Sequence, residues 1–384
     1  MAINPYTSML YKVDWLSFTL IPNYRGYEYQ LIDNILSYLA YNSADFEEVQ
    51  GRFFFNSGLT LGNYVNIYFN DNDKPVNANS INKVMFMFTG QGSTDLAKHL
   101  AKIYNSRNWQ VIWLKFFRFL KMKNARVTRL DIALDDYHGV LDFDQMERKL
   151  KAGEYRSCMK RYNVIRQLDT SGNIKGRSIY VGQSRAKLSK NGNYFVRFYD
   201  KYAESKNKSV VMPKEVEDVT TGGGTHIWQR YEIQFNKAKA QHVVDQILAA
   251  GSFAEVYMGV MRNIVEFLSR SKKDVNKSRW QMCKWWQNFL QGAQKCKLSD
   301  PERDLDLGRL LHWLRIAVVP SLHLLQELGK ERGFDIYRLI DDCRIDDYPK
   351  KQKRLLNNAK KMPDNLIQLY LREFLEGYGK GENQ

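Results

Sequence analysis

Nowhere in the 384 residues is there a Cys-x-x-Cys pair, and the four cysteines (Cys158, Cys283, Cys296 and Cys343) lie far apart. That spacing excludes a disulfide framework and a zinc knot, and it fits a reducing cytoplasm. No uncharged apolar run approaches the roughly 18 residues that a membrane-spanning helix needs. Even Val111-Ile-Trp-Leu114 is followed at once by Lys115 and then Arg118. Lys12 and Asp14 interrupt any apolar core that a secretory leader would require. No segment of about 20–50 residues repeats, which excludes a solenoid. Disorder is excluded by what is present: 23 Tyr, 20 Phe and 8 Trp make 13% of the chain aromatic.

What the chain has in excess is positive charge, with 58 Lys and Arg against 42 Asp and Glu, a net +16. Spread evenly, that excess would only aid solubility; clustered, it is a footprint for nucleic acid. It is clustered. The stretch from Lys102 to Arg129, which includes Lys115, Arg118 and Lys121, contains no acid. The stretch from Arg270 to Lys297 contains one acid, Asp274, with Trp280, Trp285 and Trp286 among its cations. Those rings either stack on the bases of single-stranded or melted DNA or fill a helix core.

The texture of the chain changes about two-thirds of the way along. Strand-like runs rich in β-branched and aromatic residues occur at Val13–Leu20, Asn63–Phe69, Val84–Thr89, Val127–Asp135, Arg177–Gly182, Tyr194–Lys201 and Trp228–Phe235. Between them, Leu96, Leu100, Ile103 and Tyr104 have helical spacing after a cap at Ser93 or Thr94, and the period continues through Trp109, Trp113, Phe116 and Leu120. A further helix is expected after Asp142, and a polar loop at Pro213–Thr225. From Val243 onward helical periods dominate, beginning with Val243–Leu268. The expectation is an α+β fold: a largely antiparallel sheet with flanking helices over 1–240, then a helical DNA-recognition or assembly domain over 241–384.

Side chains alternate across a strand, so each run divides into two faces. In Val127–Asp135, Thr128, Leu130, Ile132 and Leu134 form an apolar face, and Arg129, Asp131 and Asp135 share the other. Arg197, Tyr199 and Lys201 share one face of Tyr194–Lys201, and Arg230, Glu232 and Gln234 share one face of Trp228–Phe235. In one sheet these would make either a polar catalytic floor or an exposed face laced with ion pairs. As a floor it has the parts for phosphoryl transfer to a tyrosine. Asp131 and Glu232 are hard oxygen donors suited to Mg²⁺ or Mn²⁺, and Arg197 and Lys201 are placed to hold a phosphate and to lower the phenol's pKa.

Four segments in order resemble a known family. Thr128-Arg-Leu-Asp-Ile-Ala-Leu-Asp135, Gly176-Arg-Ser-Ile-Tyr-Val-Gly-Gln-Ser-Arg185, Val196-Arg-Phe-Tyr-Asp-Lys-Tyr-Ala-Glu204 and Arg230-Tyr-Glu-Ile-Gln-Phe235 are similar to the successive motifs of the trans-type replication initiation factors, as are Val13–Phe18 and Phe88–Ser93. These are rolling-circle initiators of small plasmids and filamentous phages, with related relaxases of conjugative elements. The resemblance, over residues 12–240, implies that Tyr199 is the nucleophile that nicks and rejoins one strand through a 5′-phosphotyrosyl link. It implies a metal held by Asp131 and Glu232, with Asp135 or Asp14 a further candidate, and Glu204 as a structural acid or a base. DNA contacts are expected from Arg129, Arg185, Arg230, Lys115, Arg118 and Lys121. Implied partners are single-stranded or melted origin DNA, a host helicase and a second copy of the chain.

The six histidines include no His-x-His pair, so the metal chemistry of histidine-based nickases does not apply, and the isolated His226 reads as a non-ligand. With its first strand near Val13, the chain leaves no room for the N-terminal helix-turn-helix of some relaxases, which favours an initiator. Lys350-Lys-Gln-Lys-Arg354 reads either as a contact for phosphates or as a solvated turn, with the turn favoured. Two other readings stand beside the nickase: a non-catalytic basic DNA-binding protein with this fold, and a tyrosine recombinase. The second would need its tyrosine on a helix.

Overall fold

The computed structural model describes residues 9–376 except 23–25, 75–82, 173, 183–193, 208–211, 214–215, 217–225, 272–273, 293–295, 297, 299–306, 344–346, 361 and 363. Ten strands form one sheet: β1 (Leu10–Leu20), β2 (Glu47–Gln50), β3 (Ser57–Leu61), β4 (Val65–Phe69), β5 (Val84–Phe88), β6 (Arg126–Asp136), β8 (Tyr162–Leu168), β9 (Ile174–Val181), β10 (Tyr194–Asp200) and β11 (Gln229–Asn236). Their order is β2-β3-β4-β5-β1-β6-β11-β10-β9-β8, and every neighbouring pair is antiparallel. The fold is mixed α+β with a large antiparallel sheet, as the strand-like runs lead one to expect.

One face of the sheet is apolar. Leu16, Phe18, Phe86, Phe88, Leu130, Ile132, Val196, Phe198 and Ile233 are buried there in a single cluster. Helices α1 (Glu28–Tyr38), α2 (Gly90–Ile103), α3 (Trp109–Met122), α6 (Ala238–Ala250), α7 (Phe253–Ile264) and α8 (Lys284–Leu290) contribute Ile35, Leu96, Trp113, Phe116, Val243, Val260 and Trp286 to the same cluster. Trp286 is fully buried and donates from Nε1 to the Val265 carbonyl, so of the two readings open for the tryptophans this one is core.

Several boundaries differ from expectation for local reasons. Ser93 and Thr94 do not cap α2; their hydroxyls donate back to the Phe88 and Gly90 carbonyls, and the helix starts at Gly90. Gly92 can stand there because a Cβ would come within 2.2 Å of the Tyr64 carbonyl oxygen. The long period through Leu120 is two helices, the second capped by Asn108. The Val243–Leu268 run is also broken: Gly251 ends α6 in the left-handed region, Ser252 caps α7, and Glu266–Ser269 is a strand, β12. This strand pairs with β7 (Tyr155–Arg156) and β13 (Gln281–Met282) in a small second sheet. Lys350–Arg354 opens a helix, α12 (Lys350–Ala359), instead of forming a turn.

The expected division at residue 240 does not coincide with a break in packing. The buried cluster runs on without interruption through Val243, Ile247, Phe267 and Phe289 to Leu298, whose carbonyl receives Lys239 Nζ at 2.6 Å. Beyond it lie α9 (Leu307–Trp313), α10 (Val319–Arg332), α11 (Ile336–Asp342), α12 and α13 (Asp364–Glu376), whose described residues add none to that cluster. Most of the expected loop at Pro213–Thr225 falls outside the described residues. Among the described residues no helix is long and apolar enough to cross a membrane.

Asp136 fixes the turn after β6. It is fully buried and accepts from the backbone amides of His138, Gly139 and Val140 and from the Tyr231 hydroxyl. Asp136→Ala leaves these donors unpaired inside the protein and is expected to cost about 3 kcal/mol of stability or more, measured by urea unfolding.

Candidate active site

The second face of the sheet is polar, and its register follows from strand pairing. Across β6 and β11, Asp135 faces Arg230, Ala133 faces Glu232, and Asp131 faces Gln234. Across β11 and β10, Glu232 faces Arg197 and Arg230 faces Tyr199. On the far side of β6, Lys12 faces Ala133 and Trp15 faces Asp131, with a bulge between Val13 and Trp15. The bulge lets two successive residues, Asp14 and Trp15, turn from the core where a regular strand would turn one. Sequence alternation missed this. The signal is visible in β1, where Lys12 and Asp14 share parity with Leu16 and Phe18 although the latter pair is core.

The charges on this face are paired. Arg230 is 2% exposed and donates to both oxygens of Asp135 (2.6 and 2.8 Å) and to Asp14 (2.8 Å). Trp228 Nε1 adds a third bond to Asp135 at 3.1 Å. Arg129 forks onto Asp131, with its closest contact 2.6 Å, and lies 3.8 Å above the centre of the Trp15 ring. Arg197 donates to Glu232 Oε2 at 2.9 Å. Burial opposes the charge on Asp14, but Arg230, Lys12 and Lys201 outweigh it and hold its carboxyl below the ordinary range. Asp131 behaves oppositely. Burial pushes its pKa up to about 7, with Glu232 and Asp14 adding to the push, and Arg129 only partly counters it.

Tyr199 lies on the sheet's polar face and is 3% exposed. Its hydroxyl donates to Glu232 Oε2 at 3.4 Å, and Arg197 lies 4.1 Å from its ring centre. The ring walls a cavity of about 270 Å³ shared with Gln167, Ser178, Tyr180, Arg197 and Glu204. The expected lowering of the phenol's pKa is not what the geometry gives. Burial, and then the Glu232 carboxylate, push it well above its ordinary value, and Arg230 and Arg197 do not offset them. Lys201 is not on the strand. Asp200 accepts from the Ala203 amide and turns the chain into α5 (Lys201–Asn207), so Lys201 opens that helix. Its ammonium still lies 5.7 Å from the Tyr199 ring centre and pairs with Glu204 at 2.6 Å.

The structure thus gathers Tyr199, Arg197, Lys201, Glu204, Glu232, Asp131, Asp135, Asp14, Arg129 and Arg230 on one face. Arg230 is too deeply buried and too fully paired to reach a phosphate, which corrects its expected role as a DNA contact: it braces acids. Lys115, Arg118 and Lys121 lie on the exposed side of α3, whose other side packs on the apolar face. They are therefore on the opposite side of the sheet from Tyr199. Arg185 lies outside the described residues. Tyr194 stacks on Phe235 in the core, and His226 Nδ1 lies 2.7 Å from the Val216 carbonyl oxygen. Lys12 was not singled out by sequence; burial and Arg230 lower its pKa.

Among the described residues no three of His, Cys, Asp and Glu converge as a preformed metal cluster. Mg²⁺ does not require one, because it is commonly held by one or two carboxylates together with substrate phosphates and water. Asp131 and Glu232 fit that pattern. They flank Ala133, whose methyl leaves the floor open between them, and Glu232 Oε1 has no hydrogen-bond partner among the described residues. Asp135 fits less well, because both of its oxygens are engaged by Arg230.

A family model described as "replication initiation factor" matches residues 125–340. The chain is 23% identical over 324 residues to a protein named putative DNA relaxase NicK from Bacillus subtilis (strain 168), covering 83% of this chain and 84% of that one. The structure of a rolling circle replication initiator protein from Geobacillus stearothermophilus superposes with a TM-score of 0.56 at 22% identity, covering 76% of this chain and 99% of that one.

The raised pKa of Asp131 has a definite consequence for stability. The folded state holds this proton more tightly than the unfolded chain, so stability is greatest below the unfolded value near 3.8 and is lost as pH rises towards 7. Asp131→Asn removes that loss. Its melting temperature relative to wild type is expected to climb between pH 5 and pH 8 by roughly a few degrees. A constant difference across that range, seen by thermal unfolding, would show that Arg129 keeps Asp131 ionised throughout.

Proposed function

This chain belongs to the replication initiation factor family, and on that premise we propose that it cuts and rejoins one strand of DNA at an origin with Tyr199 as nucleophile. The observation that carries the proposal is the Tyr199 hydroxyl donating to Glu232 beside Arg197 in the wall of a cavity. Buried and neutral, the phenol does not react until its proton is taken. Glu232 is the acceptor within reach. The phenolate oxygen then attacks phosphorus, the bond from phosphorus to the 3′-oxygen breaks, and the 3′-oxygen leaves and takes up a proton. The strand is left with a free 3′-hydroxyl and a 5′-phosphotyrosyl ester. Arg197 and Lys201 face the charge that builds on the phosphate. Attack of a 3′-hydroxyl on the ester reverses the sequence and returns the proton to Tyr199.

Mg²⁺ or Mn²⁺ held by Asp131 and Glu232 would supply charge neutralisation at a non-bridging phosphate oxygen. The same residues would serve at a replication origin or at a transfer origin. A relative named as a relaxase and a fold neighbour named as an initiator leave this chemistry common to both. The tyrosine lies on a strand, not a helix, which supports this reading over a recombinase. Origin discrimination is assigned to the helical segment from Leu307 to Glu376, whose described residues stand outside the main buried cluster. A chain ended after Leu298 is expected to stay folded and to bind DNA without preferring the origin, as measured by competition against unrelated sequence.

Tyr199→Phe is expected to bind a single-stranded origin oligonucleotide but to form no adduct that survives denaturation. Tyr194→Phe should keep adduct formation, because that ring is a packing residue. Glu232→Gln or EDTA should lower cleavage by about 10²-fold or more with binding nearly intact. Peptide mapping of the adduct decides the matter: a nucleotide on Tyr180, which lines the same cavity, would overturn the assignment of Tyr199.

A further inference from the structure

The polar face does not end at Trp15. Strand pairing continues it from Ser17 to Met87 on β5, from Met87 to Asn66 on β4, and from Asn66 to Thr60 on β3. Over these strands lies a second cavity of about 460 Å³, lined by Trp15, Gln50, Arg52, Asn63, Asn66 and Tyr68 among others. The connection from β2 to β3 forms its rim. Gly51 is held so close to the Phe55 carbonyl oxygen that a Cβ would lie 2.1 Å from it. Beyond that glycine the chain adopts two successive left-handed conformations, at Phe53 (φ 56°) and Phe54 (φ 77°). Bulky residues avoid that region, and two together are a cost that ordinary turn chemistry removes with Gly or Asn.

These two strained residues are also exposed, Phe53 at 58% and Phe54 at 65%. Phe53 meets the buried Tyr68 edge-on at 5.7 Å, which anchors one ring over the sheet. Beside them, Arg52 has no ion-pair partner among the described residues, unlike Arg129, Arg197 and Arg230. Strained, solvent-facing rings next to an unpaired guanidinium and an amide-lined hollow match what an unstacked nucleotide needs: faces to stack on, a cation for phosphate, and hydrogen-bonding groups for a base edge.

We propose that the tip of the β2–β3 connection and the cavity beneath it are a stacking subsite for bases of the single strand whose phosphate is cut at Tyr199. Phe53 and Phe54 stack on bases, and Arg52 meets a phosphate. One base enters the hollow between Trp15 and Tyr68, where the Asn63 amide meets its edge, the Asn66 amide being held by Thr60 and the Asn63 carbonyl. Tyr199 on β10 is three strand spacings from Trp15 on β1 and five from Tyr68 on β4, about 14 and 24 Å. The β2–β3 tip lies one to two strands further, so the subsite holds nucleotides several positions along the strand from the cut. It gives the enzyme a grip on single-stranded over paired DNA, because bases held in a duplex cannot present their faces. This subsite rests on the strand-cutting reading above and adds to it the form of DNA that is held.

The test measures equilibrium binding of fluorescently labelled random-sequence single strands and of the matching duplex to the full chain carrying Tyr199→Phe, so that no covalent step intervenes. Adding Phe53→Ala and Phe54→Ala is expected to weaken single-strand binding by about tenfold or more while leaving duplex binding and the melting temperature unchanged. Adding Arg52→Ala instead should reduce the slope of log affinity against log salt by about 0.7, one phosphate contact on a single strand. Single-strand affinity unchanged by the loss of both rings overturns the subsite and leaves the strand-cutting reading untouched. Equal loss on single strand and duplex also overturns it, because the rings would then serve the fold or general charge. No preference of the Tyr199→Phe chain for single strands also overturns the subsite, whereas the strand-cutting reading stands or falls separately, on the covalent adduct.

Discussion

Arg230 holds the polar face together. Its guanidinium joins Asp135 on the neighbouring strand to Asp14 on the strand beyond, so one buried cation ties β11, β6 and β1. A buried ion pair gives little net stability over an apolar substitute, but losing one partner strands the other charges. Its use here is positional. With Asp14 and Asp135 neutralised by Arg230, the remaining acids, Asp131 and Glu232, are set apart by the single methyl of Ala133.

The same low-dielectric setting shapes Tyr199. A phenol at the surface ionises near pH 10 and is ordinarily inert. Enclosing Tyr199 makes it harder to ionise, not easier, so the flanking cations do not activate it in advance. On the reading proposed above, the phenol becomes reactive only when Glu232, within reach of its hydroxyl, takes the proton.

Much of this was legible in the chain. Period-two alternation in Val127–Asp135, Tyr194–Asp200 and Trp228–Phe235 put the right side chains on a common face, because a strand within a covered sheet must segregate its two sides. The order of strands was not legible. Hydrogen bonding between β1 and both β5 and β6 is a long-range choice that no local pattern records. Short or polar strands such as β2 and β8 are hard to read in sequence because edge strands place polar side chains on both faces. Lys201 reads in sequence as a strand residue because Asp200 serves as well in a strand as in a helix cap, and the clustering of Lys115, Arg118 and Lys121 in sequence says nothing about which side of a sheet their helix covers. The bulge at Asp14 was written in the parity switch within β1 but becomes meaningful only once the partner strand is known.

The position of β1 also bears on how the molecule comes into being. This strand is the first to be synthesised, yet it lies in the middle of the sheet and finds neither neighbour until Val84–Phe88 and Arg126–Asp136 have followed it. The partner on the other edge of β6, Gln229–Asn236, is made some hundred residues later. At ribosomal speed that is an interval on the order of 5–20 s, during which the edge of β6 stands open and neither Glu232 nor Arg230 exists. The nascent chain therefore carries its aspartates without their arginine and lacks Glu232 beside its tyrosine. The acids and arginines of the polar face come together only when the last strand inserts, which makes completion of the sheet itself the event that assembles the proposed site.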